Sequence, residues 1–169
     1  MIYLGIIGGI FLVEFVIKTI VEKKGKIGVT KPVCGGKILL RKYHNKGFAL
    51  NAGEKRQKTV AAISLLLCVL MTLGTLLFGN RWNSLAKVGF AILLGGAYSN
   101  TYDRLFRTYV VDYISFGVKW ERLRRIVFNV ADFCIVIGAV LVVIGGLSDE
   151  NISKGQICSE IDGRLGGTP

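Results

Sequence analysis

The chain has 169 residues, of which 51% are hydrophobic, 20% charged and only 2 proline, and its mean hydropathy of +0.51 excludes an ordinary soluble domain. The 22 Lys and Arg against 11 Asp and Glu give a formal charge of +11, but the bases stand between long apolar runs, so an anionic membrane surface is the expected partner and nucleic acid is not. Cys34, Cys68, Cys134 and Cys158 have neither CxxC spacing nor a histidine at ligand spacing, which argues against a zinc site and against a disulfide framework.

A helix needs about 20 mostly apolar residues to cross about 30 Å of hydrocarbon. Four stretches meet this, at 1–21, 60–78, 85–102 and 126–147. Helices are the expected form, because lipid cannot satisfy backbone amides and four spans are too few for a closed barrel. The first stretch lacks a basic start and ends in Val21-Glu22-Lys23-Lys24 instead of a small-residue cleavage site, so it reads as a retained helix. It contains Glu14 and Lys18, four apart on one face, where a mutual ion pair is the plain expectation. The first loop, 22–59, has β-type stretches at Lys37-Ile38-Leu39-Leu40 and Gly47-Phe48-Ala49-Leu50, predicting a small sheet on the membrane surface. The second loop, 80–84, is short enough for a tight helical hairpin. The third, 103–125, holds another extended piece, Tyr109 to Phe116. Residues 1–147 therefore read as one membrane domain, and 148–169 as a polar, Gly-rich, disordered tail.

Ionisable and amide side chains inside spans cost about 2.5 to 3.5 kcal/mol each on insertion scales and ask for a reason. The third stretch ends Gly95-Gly96-Ala97-Tyr98-Ser99-Asn100-Thr101-Tyr102-Asp103-Arg104, so Gly96, Asn100 and Asp103 or Arg104 recur at the helical period. The fourth begins Phe128-Asn129-Val130-Ala131-Asp132, with Asn129 and Asp132 on one face. Both stripes flank the loop that carries Asp112, so three carboxylates and two asparagines meet at one membrane surface. For each acid alone a local ion pair, a solvated loop position or a helix cap is a sufficient account; together they suggest an aspartyl pair in which one carboxyl keeps its proton. The single histidine, His44, lies beside Lys42 and Lys46 in the first loop and reads as surface.

These motifs resemble the bacterial lipoprotein signal peptidases (signal peptidase II). The family pattern G-G-A-x-G-N-x-x-D-R is met by Gly95 to Arg104 with Ser99 in place of Gly, V-V-D-[FY] by Val110 to Tyr113, and F-N-x-A-D by Phe128 to Asp132. The first-span D-x-x-x-K is met by Glu14 to Lys18 with Glu for Asp, and the first-loop Asn-and-Gly motif by Asn45 to Ala49. The resemblance implies an all-α membrane protein with four transmembrane helices and a small extracytoplasmic sheet between helices one and two. It implies an aspartic endopeptidase in the bacterial cytoplasmic (inner) membrane, active site toward the extracytoplasmic face. The implied reaction removes the signal peptide from diacylglyceryl-modified prolipoproteins just before the lipidated cysteine. Asp112 and Asp132 match the catalytic pair; Asn45, Gly96, Asn100, Asp103, Arg104 and Asn129 match positions that support the site or hold substrate. Neither metal nor cofactor is implied. The implied partners are the lipid-modified precursor and membrane lipids, with the chain acting as a monomer, and the implied inhibitor is globomycin.

The distribution of bases pulls the other way on orientation. Seventeen lie in the first and third loops and four on the opposite face, which by the positive-inside tendency would put both large loops in the cytoplasm. The motifs are the more specific signal, and outward bases have a use in binding anionic head groups. Two other readings fit the residues: a divergent or inactive relative that binds lipoprotein precursors, with Ser99 and Glu14 as its marks, and a small membrane transporter subunit.

Overall fold

The computed structural model describes residues 1–47 and 53–165, with side chains through Ser148. Helix α1 (Ile2–Lys24) leads into a hairpin of β1 (Thr30–Val33) and β2 (Ile38–Asn45). Helices α2 (Gln57–Phe78) and α3 (Ser84–Tyr102) follow, joined by a short 3-10 turn at Gly79–Arg81. The chain then passes through a π-helical turn (Asp103–Arg107), strand β3 (Val110–Phe116) and the short helix α4 (Glu121–Arg125) into α5 (Val130–Leu165). Thus α5 starts four residues later than the apolar run suggests, because Asn129 caps it, and it continues past Ser148.

The four long helices differ in apolar character. Three are long and apolar enough to cross a membrane, at Ile2–Lys24, Glu54–Arg81 and Val130–Ser148, and only 11%, 22% and 17% of their most apolar windows is buried within the protein. Their outward Leu, Ile and Val side chains, such as Leu66, Leu76, Val136 and Val143, form an exposed apolar girdle suited to lipid. Helix α3 is built differently. Most of its buried face is small or polar, with Ala86, Gly89, Gly96, Ser99 and Asn100 among the buried residues, so it faces protein and needs less hydropathy.

Small residues let α3 lie against α5. A Cβ on Gly89 would stand 2.8 Å from the Gly138 carbonyl oxygen, and one on Gly138 would stand 2.5 Å from that of Gly89. One turn-pair along, a Cβ on Gly145 would meet Ala86, and one on Gly96 would meet the Ala131 carbonyl. Close backbone approach of this kind replaces the hydrophobic driving force that lipid does not supply. On its other side α3 presents Gly95 to Ile7 and Ile10 of α1. Asn83 begins the helix, accepting from the Ala86 N–H at 2.8 Å and donating to the Gly145 carbonyl at 2.8 Å.

The sheet is three-stranded and antiparallel in the order β1-β2-β3. Its third strand comes from the loop between α3 and α5, with Ile38 opposite Phe116 and Asn45 opposite Val110. The expected sheet therefore exists, but it joins two loops instead of belonging to the first alone. The expected β-stretch at Gly47 to Leu50 falls largely on residues 48–52, outside the described ones. Thr108, a β-branched residue at φ +69°, makes the sharp turn from the π-helical segment into β3, a backbone position such residues rarely take.

Candidate active site

The site forms where α1, α3, β3 and the start of α5 converge. Helix α5 begins with a reciprocal cap: the Asn129 N–H donates to Asp132 Oδ2 and the Asp132 N–H to Asn129 Oδ1, both at 3.0 Å. That cap accounts for the FNxAD spacing, since three residues separate an N-cap from its partner in the first turn. It also turns the Asn129 amide toward β3. There Nδ2 donates to Asp112 Oδ1 at 2.7 Å and to Asn100 Oδ1 at 3.2 Å. Asn100 in turn donates from Nδ2 to Asp132 Oδ1 at 2.8 Å. Asp112 and Asp132 are thus tied to one another through two carboxamides, and Asn45 at the end of β2 donates to Asp112 Oδ2 at 3.1 Å.

Burial and charge set the state of Asp112. It is 2% exposed, and its pKa is pushed up from 3.8 to about 7, first by burial and then by the charge of Asp132; hydrogen bonds from Asn129 and Asn45 and the charge of Lys18 oppose this.

The first-span charges behave differently from their spacing. Glu14 and Lys18 do not answer each other. Lys18 Nζ donates to Asn100 Oδ1 at 2.7 Å and Ser99 Oγ at 3.1 Å, and pairs with Asp103 Oδ2 at 3.1 Å. An ammonium only donates, so Lys18 holds the Asn100 oxygen toward itself and leaves the Asn100 NH₂ for Asp132. Glu14 Oε1 accepts from the Ala131 N–H at 2.8 Å, and Oε2 from the Tyr113 hydroxyl at 2.7 Å. It therefore grips the immediate neighbours of both aspartates. The i, i+4 pairing fails because the shared face is covered by α3, β3 and α5, whose buried donors and acceptors are nearer.

Asp103 also accepts from the Val111 N–H at 3.2 Å and faces Arg107 Nε at 3.4 Å. It braces the entry to β3 and sits one shell outside the aspartyl pair. Arg104 donates to the Asn100 carbonyl and to the Gly47 carbonyl, each at 3.2 Å, tying the end of α3 to the first loop. Burial lowers its pKa from the usual arginine value, while the charges of Asp132, Asp112 and Asp103 work against that. Gly96 contributes space, not contact, since any side chain there would strike the Ala131 carbonyl next to Asp132. The pairing of Tyr113 with Glu14 and of Ser99 with Lys18 is not apparent in the sequence. The signal for Tyr113 is its place beside Asp112 with a hydroxyl that must find a partner when buried.

Asn45, Asn100, Asp112 and Asp132 open onto a cleft of about 630 Å³ between α2, α3 and α5, whose remaining wall is largely apolar, including Leu67, Met71 and Ile135. A polar head on an apolar trough suits an extended, lipid-soluble peptide segment. Among the described residues no group of three or more His, Cys, Asp and Glu side chains is placed to hold a metal ion.

A family model described as Signal peptidase (SPase) II matches residues 6–148. The chain is 29% identical over 153 residues to the lipoprotein signal peptidase of Lactiplantibacillus plantarum, covering 90% of this chain and 99% of that one. It is 31% identical over 126 residues to the lipoprotein signal peptidase of Clostridium acetobutylicum, covering 75% of this chain and 80% of the relative. Among solved structures, a bacterial membrane enzyme determined at 2.3 Å by the in meso method superposes with a TM-score of 0.75 at 22% identity, covering 88% of each chain; this likeness bears on the fold.

Proposed function

Since the chain belongs to the signal peptidase II family, a family of multi-pass membrane proteases, we propose that it is an aspartic endopeptidase that removes the signal peptide from diacylglyceryl-modified prolipoproteins, cutting before the lipidated cysteine. The observation that carries this reading is the bridge through Asn129 and Asn100 that couples Asp112 to Asp132 at the head of an apolar cleft.

Asp112, with its raised pKa, holds the shared proton, and Asp132, in the first turn of α5, serves as the base. Asp132 takes a proton from water as the oxygen attacks the scissile carbonyl carbon, while the Asp112 proton goes to the carbonyl oxygen. Asp132 then returns its proton to the departing amine nitrogen as the C–N bond breaks, and Asp112 recovers its own as the carboxyl product forms. Asn45, Asn100 and Asn129 orient the two carboxyls, with Asp103, Arg104 and Gly96 holding the backbone around them. Helix α3 is the fourth membrane crossing in this reading, and the sheet and site face the extracytoplasmic side, where exported precursors arrive. The bacterial cytoplasmic membrane is the location and a monomer the working unit.

Purified chain should cleave a diacylglyceryl-modified prolipoprotein in a globomycin-sensitive way, and Asp112→Asn and Asp132→Asn should each lower the rate by at least about a thousandfold, as loss of an acid–base member of an acting pair does. Full activity in either variant contradicts the assignment.

A further inference from the structure

Outside the cleft, a cluster of positive charge lies on α4, to which β2 is linked through Arg41. Arg41 NH2 on β2 donates to the Arg124 backbone carbonyl at 2.7 Å, and the Arg124 charge lies near enough to act on Arg41. Arg41 Nε is buried and has no hydrogen-bond partner among the described residues. Burial works against the charge on Arg41, Tyr43 favours it, and Arg124 adds a smaller opposing effect. Helix α4 adds Arg122 and Arg125, and its acid, Glu121, is bonded to Arg125. The helix is preceded by Trp120, 70% exposed, whose carbonyl accepts from the Arg124 N–H at 3.0 Å. An outward indole beside clustered guanidiniums is the chemistry of the membrane interface, where the ring sits among head groups and the bases meet phosphates.

We infer that Arg41 and Arg124, with Trp120 alongside, form a binding site for the phosphodiester head group of an anionic phospholipid, docking α4 on the membrane surface beside the site. A guanidinium offers paired donors that match phosphate oxygens, so one head group lying over Arg41 and Arg124 would offset the like charge that Arg124 places on Arg41.

The test reads lipid contact and is independent of cleavage. The chain contains two tryptophans, so full-length protein with Trp82→Phe, in phosphatidylcholine vesicles, reports on Trp120 alone. Brominated phosphatidylglycerol should quench this indole at a mole fraction about twentyfold lower than brominated phosphatidylcholine, on the basis of about fivefold per base at an anionic surface. Arg41→Gln with Arg124→Gln should abolish that preference, whereas the double lysine variant should keep part of it and Arg81→Gln, at the opposite end of the bundle, all of it. Equal quenching by the two lipids, or a preference that survives the double glutamine variant, overturns the inference. So does relief of the quenching by a soluble acidic peptide at constant ionic strength, which would mark a peptide site instead.

Discussion

At Asp112 the environment matters more than the residue type. A carboxyl whose pKa is about 7 in the folded chain against 3.8 ordinarily favours folding while protonated. That contribution is complete below about pH 4 and is lost as the pH rises through about 7. The same proton serves the proposed reaction, so cleavage should fall as pH rises through about 7 to 8, while the unfolding midpoint in detergent should fall earlier, between about pH 4 and 7, and level off above. A rate that is flat from pH 6 to 9 would contradict a proton held at Asp112. The motif residues themselves were legible in the sequence, because polar side chains are costly in apolar runs and therefore conspicuous. Their partners were not. Lys18 meets Asp103, Asn100 and Ser99 instead of Glu14. The serine that departs from the family pattern is thus absorbed as an acceptor for Lys18.

At the level of elements, the α3–α5 seam positions Asn100 against Asp132. Gly138→Leu would drive a side chain into the Gly89 carbonyl and the Leu93 N–H and should cost about 1 to 3 kcal/mol by overpacking, with loss of precursor cleavage. Gly146→Leu on the same helix meets nothing within 4 Å and should change stability by no more than about 0.5 kcal/mol. Thermal unfolding in one detergent compares the two. Helix existence and approximate ends were readable from apolar run length, since lipid imposes the length directly. The start of α5 at Val130 was obscured because Ile126, Val127 and Phe128 are apolar yet belong to the extended segment, where the Phe128 backbone bonds Ile114. The partnership of β3 with β2 was also hidden, because sixty-odd residues separate strands whose pairing depends on both loops emerging at one end of the bundle.

For the whole molecule, Glu14 joins helix, strand and helix at one point. Glu14→Ala leaves the Ala131 N–H and the Tyr113 hydroxyl without their acceptor, and should destabilise by about 1 to 3 kcal/mol, the penalty for leaving buried polar groups unmet. Glu14→Gln retains one acceptor oxygen and should recover part of the loss; an unchanged unfolding midpoint in Glu14→Ala would show that the bridge carries no load. Membrane character, family resemblance, the approximate run of the helices and the conspicuous aspartates and asparagines can all be read along the chain, because apolar length and the cost of buried polarity are local properties written in order. Which of those groups touch depends on how the elements pack. Two loops had to share one sheet, and α3 had to nest on glycines between α1 and α5, before Asn129 could reach Asp112 and Glu14 could reach Tyr113 and Ala131. Hydrogen bonds act over about 3 Å, and distances of that size between remote residues are set by packing alone.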